Sequence, residues 1–139
     1  MDRRIIPLLA LLSLQARAFD PAADVALAAV PGGLRVAIPA GVHLKQRTFK
    51  VVLASPRGRL AVGPLPSPTG QDGLGDPVWR GVVLIPLRGD GLPDPVPLAV
   101  TYQPCTEGLA GVCYLPQHRT VTARAADLEA RPATGAKGR

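Results

Sequence analysis

Sixteen prolines and fifteen glycines interrupt this 139-residue chain every few residues, and that spacing leaves almost no room for a helix of ten or more residues. What lies between them alternates. Leu34, Val36 and Ile38 fall on one face of an extended segment, with Arg35 and Ala37 on the other. Phe49, Val51 and Leu53 alternate in the same way with Lys50, Val52 and Ala54, and Leu98, Val100 and Tyr102 with Ala99, Thr101 and Gln103. Arg119 to Ala123 alternates again around Val121. Val78 to Leu87 is almost continuously apolar and reads as a strand buried on both sides or crossing the middle of a core, with Trp79 as its anchor.

Short strands separated by turn residues in this way predict an all-β domain, an immunoglobulin-like antiparallel β-sandwich, with a small barrel as the alternative. The stretch Gly63 to Asp76, GPLPSPTGQDGLGD, is too rich in Gly and Pro to pair along its length and reads as a long exposed loop. Beyond Arg124 the chain becomes Ala-rich and polar, so residues 125–139 are expected to form a flexible tail, frayed or shortly helical. The domain proper is then 19–124.

The first eighteen residues have the three parts of a secretory signal. Arg3 and Arg4 supply the charge, Ile5 to Leu14 the apolar run, and Ala16-Arg17-Ala18 the small side chains at a cleavage point before Phe19. The run is well short of the ~20 apolar residues a spanning helix needs. A cleavable signal peptide over 1–18 is expected, and with it export. Removing it takes away three arginines and Asp2, so the net charge falls from +6 to +4. The remaining Lys and Arg are scattered singly and aromatics are few, so no basic stripe with stacking platforms for nucleic acid forms.

An exported chain with two cysteines usually pairs them, because its compartment favours the disulfide. Cys105 and Cys113 would close a short loop, stabilising the fold by roughly 2–3 kcal/mol in the chain-entropy model. A non-catalytic binding or scaffolding module with a purely structural hairpin disulfide is one reading. The other is exchange chemistry, because a pair that links neighbouring strand ends around a Gly-bearing turn leaves a sulfur open to attack without dismantling the core. His43 and His118 do not by themselves define a metal site, and His118 reads as exposed in a turn. The loop carboxylates Asp72, Asp76, Asp90 and Asp94 read as satisfying their own backbone.

Tyr102, Gln103, Cys105, Gly111, Cys113, Tyr114 and Pro116 occur in the order of a strand ending in Tyr-Gln, a cysteine, a Gly-containing turn, and a second cysteine followed by Tyr and Pro. In this the segment AVTYQPCTEGLAGVCYLPQHRTVTA closely resembles the cysteine hairpin of the amino-terminal periplasmic domain of the DsbD thiol:disulfide interchange proteins. Gly33-Leu34-Arg35-Val36, Pro39-Ala40-Gly41 and Trp79-Arg80-Gly81 extend the resemblance over roughly residues 25 to 123. The resemblance implies an immunoglobulin-like domain that takes electrons from a separate membrane donor and passes them to thioredoxin-fold periplasmic proteins. It implies that Cys113 forms the mixed disulfide and Cys105 resolves it, in a monomer, with neither metal nor organic cofactor.

The chain departs from that family in three places. The turn between the cysteines is longer, with Pro104 directly before Cys105. The cap loop that shields the pair carries aromatics in the family but is QDGLGD here, at 71–76, leaving Leu74 as its apolar lid. Where the family places tyrosines near the site, Val42, His43 and Lys45 stand. A cationic Lys45, or a protonated His43, beside a sulfur would stabilise its thiolate; otherwise both are solvated surface residues. Tyr102 and Tyr114, flanking the cysteines, are the remaining candidates for capping or tuning.

Overall fold

The computed structural model describes residues 18–129; the expected leader over 1–17 and the tail from 130 lie outside the described residues. Eleven strands form three sheets in which every pairing is antiparallel. β1 (Ala26–Val30), β2 (Gly33–Ala37), β8 (Val82–Asp90) and β5 (Arg59–Val62) make one sheet, in the order β1-β2-β8-β5. β11 (Gln117–Ala123), β9 (Val96–Tyr102) and β4 (Lys50–Leu53) make a second, in the order β11-β9-β4. The third, β10-β3-β7-β6, is built from β10 (Pro104–Thr106), β3 (Val42–Lys45), β7 (Pro77–Trp79) and β6 (Gly70–Gln71). The architecture is an immunoglobulin-like β-sandwich.

Period-two alternation decides which face each strand buries. Leu34 and Val36 of β2, Val51 of β4, and Leu98, Val100 and Tyr102 of β9 point into one shared core, with Ile38 and Phe49 beside them. Trp79 has no exposed surface, meets the Phe49 ring edge-on at 5.2 Å, and donates its indole N–H to the Pro66 carbonyl at 3.1 Å. The long loop is thereby tied to the core through Pro66, and only Gly70–Gln71 of it pairs as a strand.

The segment Val78 to Leu87 corrects the sequence reading. It is two strands in two sheets, broken at Arg80–Gly81, where Gly81 takes a left-handed backbone (φ 72°) that a side chain would disfavour. Past the break β8 buries one face only: Val83, Ile85 and Leu87 point inward while Val82, Leu84 and Pro86 face out. A second crossing follows Tyr102. β9 ends there, and after Gln103 the chain enters β10 in the neighbouring sheet through Pro104, which has no N–H to offer a ladder. His118 lies on β11, not in a turn, with Nδ1 3.0 Å from Thr101 Oγ1. A single helical turn, α1 (Ala125–Leu128), buries Ala125 and Leu128 against the core, so packing continues past Arg124.

Candidate active site

The third sheet carries the two cysteines at one end of the sandwich. β10 runs beside β3 in a register that sets Cys105 opposite His43 and Thr106 opposite Val42. Along the other edge of β10, Cys113 forms an isolated antiparallel bridge with Cys105, and the sulfurs are bonded at 2.13 Å. Thr106 N–H to Val112 O (2.9 Å) and Tyr114 N–H to Pro104 O (3.0 Å) hold that return strand in place. The loop between is closed by Gly111 N–H to Gly108 O at 3.0 Å. Gly111 is required there, since a Cβ would lie 2.5 Å from the Thr106 carbonyl oxygen.

The two sulfurs differ in environment. Cys105 is 1% exposed, whereas Cys113 faces solvent. Close to Cys113 in the chain, Leu109, Val112 and Leu115 are exposed large apolar side chains, and Leu74 lines the same cleft as both cysteines. Leu74 is 84% exposed, so the 71–76 loop borders the cleft without sealing it.

A cleft of about 430 Å³ joins both cysteines to His43, Lys45, Asp72, Leu74, Arg80 and Glu107. Lys45 and His43 are therefore not solvated surface residues. The Lys45 ammonium donates to Asp72 Oδ2 at 2.8 Å and to Asp76 Oδ2 at 3.3 Å. Those contacts, Asp72 first, raise the Lys45 pKa against the opposing effect of burial. That charge is paired with the carboxylates of the 71–76 loop. Asp72 in turn is pulled down to about 2, chiefly by the Lys45 hydrogen bond and then by the Asp76 N–H, with the Leu74 N–H adding to it. Asp72 does satisfy its own loop backbone, accepting from Leu74 N at 2.8 Å and Asp76 N at 2.9 Å, but it also pins that loop to β3.

A depressed carboxylate pKa makes the clamp a high-pH device. Its contribution is complete above about pH 4, the unfolded value, and is lost as pH falls through the folded value near 2. Asp72→Asn should therefore loosen residues 71–76 at neutral pH as acid does to the natural protein. Amide hydrogen exchange of Leu74 and Asp76 is expected to rise at least about 10-fold in the variant; unchanged protection would show that the loop is held by other contacts.

On the other wall, Arg80 Nε donates to Glu107 Oε1, and His43 Nδ1 lies 3.3 Å from the same oxygen. Glu107 is held below the usual carboxylate range, first by Arg80 and then by His43, against its partial burial. His43 is 7% exposed. The His43–Glu107 approach is close enough for an ion pair once the ring is protonated, but it lacks hydrogen-bond alignment, and both ring nitrogens are buried without a hydrogen-bond partner. Tyr102 and Tyr114 do not line the cleft. The Tyr102 hydroxyl is buried and donates to Pro21 O at 2.8 Å, and the Tyr114 ring packs on Phe19 at 5.6 Å. Gln103 connects the two segments, accepting from Thr48 Oγ1 and donating to Tyr114 O at 3.1 Å.

Sequence reasoning missed Arg80 and Glu107. Their signal was present: an acid inside the turn between the cysteines, and a base in the Trp-Arg-Gly break, are both placed at the cysteine end once the chain is seen to switch sheets there.

The family model described as thiol:disulfide interchange protein DsbD, N-terminal, matches residues 11–125. The chain belongs to this family. The crystal structure of the Neisseria meningitidis DsbD n-terminal domain in the reduced form is similar to it, with 22% identity and a TM-score of 0.52. That match covers 77% of this chain and 90% of the Neisseria chain. No curated protein matches. Membership in the DsbD N-terminal family gives the bonded pair its class of chemistry, thiol:disulfide interchange, and makes the domain an electron-shuttle oxidoreductase.

Proposed function

We propose that this domain shuttles reducing equivalents in the periplasm, exchanging disulfides with thioredoxin-fold proteins through Cys113 as the attacking sulfur and Cys105 as the resolving one. The observation that carries this assignment is the difference in exposure within one disulfide. A partner must approach a sulfur along the S–S axis, and of the two residues Cys113 is exposed while Cys105 is buried. The exposed Leu109, Val112 and Leu115 beside it give a partner's active-site surface something apolar to cover. The domain acts as a monomer, and its electrons come from a separate membrane protein. Among the described residues no helix is long and apolar enough to cross a membrane.

In the reduced domain the Cys113 thiolate attacks a partner disulfide, one partner sulfur leaves as thiolate, and a mixed disulfide forms. Cys105 then attacks the Cys113 sulfur and expels the second partner thiolate, so two electrons pass to the partner and the domain's own disulfide returns. No cofactor enters the cycle.

The equilibrium potential of the purified domain tests this reading. Titration against dithiothreitol or glutathione, with mass-tagged alkylation of Cys105 and Cys113, should give a value near or above about −250 mV. A potential well below about −300 mV would instead fit a structural staple.

A further inference from the structure

We propose that His43 is the proton acceptor for the resolving thiol, Cys105, and that Glu107 and Arg80 are its positioning residues. The proposal rests on the exchange reading above and deepens it. Once the domain is reduced, Cys105 must lose a proton to attack, yet it sits almost without solvent contact, where burial disfavours the thiolate. A base has to be brought to it. His43 is its partner in register across β3 and β10, so the two side chains leave the sheet on the same face, and both line the cleft.

The other charged groups that face this imidazole are unsuited to the task. Lys45, on the same strand, is held protonated by Asp72 and Asp76. Asp72, from the 71–76 loop, is too weak a base at about 2, and Asp76 is committed to Lys45 and Arg47. Glu107, from the turn after β10, is stabilised as the anion by Arg80, from the break between β7 and β8. Imidazole is the side chain in this cleft, besides the thiols themselves, that ordinarily changes charge near neutrality.

The hydrogen-bond inventory points the same way. Both His43 nitrogens are buried without a hydrogen-bond partner while the disulfide is closed. A neutral imidazole always keeps one nitrogen as acceptor, and leaving it unmet in a buried site is costly. A disulfide has no proton to give it; the reduced Cys105 S–H has. In the resolving step the Cys105 proton passes to the imidazole, the Cys105 sulfur bonds to Cys113, and the Cys113–partner bond breaks. The departing partner thiolate carries off the electron pair, and the imidazolium returns its proton to solvent or to that thiolate. The Glu107 carboxylate, 3.3 Å from Nδ1, stabilises the transient imidazolium, and Arg80 fixes the carboxylate in place.

Reaction of the reduced domain with 5,5′-dithiobis(2-nitrobenzoate) separates the steps, since one coloured thiolate leaves when Cys113 attacks and a second when Cys105 resolves. At pH 7, His43→Gln should slow the second release roughly 100-fold and the first by less than about 3-fold, in line with the usual range for general-base catalysis. A change that merely disturbed the fold would slow both releases. Glu107→Gln, which changes an exposed turn, should slow the second release roughly 10-fold and the first by less than about 3-fold. A second release as fast in His43→Gln as in the natural domain overturns the proposal; should that variant not fold, a second release as fast in Glu107→Gln as in the natural domain overturns it. A natural domain that yields no first release fails the exchange reading itself, whatever His43 does.

Discussion

Cys105→Ser should accumulate a covalent adduct with an oxidised thioredoxin-fold partner through Cys113, and Cys113→Ser should accumulate essentially none. The prediction follows from access. Cys113 is exposed, as are Leu109, Val112 and Leu115 near it in the chain, whereas Cys105 is enclosed between β3 and the return strand. With Cys105 absent, nothing expels the partner from Cys113, so the mixed disulfide persists until an external thiol arrives. With Cys113 absent, a partner sulfur would have to reach an almost inaccessible atom. The difference in adduct yield on non-reducing gels should be at least about 100-fold, because exchange rates depend directly on access to the attacking sulfur. Adduct on Cys105 in preference to Cys113 would reverse the roles, and adduct on neither would remove exchange as the function.

The parts of the fold visible in the sequence are those where one strand has one wet face and one dry one. Leu34–Val36–Ile38, Phe49–Val51 and Leu98–Val100–Tyr102 declare their burial by period alone. β8 misled because Val82, Leu84 and Pro86 are apolar yet face out, so composition hid an alternation that the structure restores. β3 could not be seen at all. Its residues are Val42, His43, Leu44 and Lys45, and the two polar ones are buried by partners that lie far along the chain: Asp72 and Asp76 for Lys45, and the closed cysteine hairpin for His43. Local pattern carries no information about such pairings, which exist only because the chain leaves the third sheet at Gly81 and re-enters it at Pro104.

The candidate site divides along the same line. The pairing of Cys105 with Cys113 was legible, because both lie in one short stretch of sequence. The charge arrangement was not. Lys45, read either as a cation beside a sulfur or as a solvated residue, anchors the 71–76 loop, and Glu107, which the sequence did not single out, stands between Arg80 and His43.

Trp79→Ala should unfold the domain at temperatures where the natural protein is intact. Trp79 is fully buried at the end of β7, opposite Leu44 of β3, and so joins the cysteine-bearing sheet to the common core. Removing the indole forfeits its edge-on contact with Phe49 and leaves a cavity that neither β3 nor β7 can close without disturbing the cleft. Large-to-small changes of this kind cost about 3–5 kcal/mol, a large share of the roughly 5–15 kcal/mol that hold a typical domain together. For a domain of this size the midpoint should fall by about 15–30 °C, read by circular dichroism. Trp79→Phe separates packing from tethering. It keeps most of the ring but loses the bond to the Pro66 carbonyl, which is partly exposed and can be met by water, so the cost should be near 1 kcal/mol. The loop from Gly63 to Thr69 should then lose hydrogen-exchange protection while the midpoint moves only a few degrees. A midpoint for Trp79→Ala within about 5 °C of the natural domain would mean that the two sheets are joined without Trp79, contrary to its place in the core.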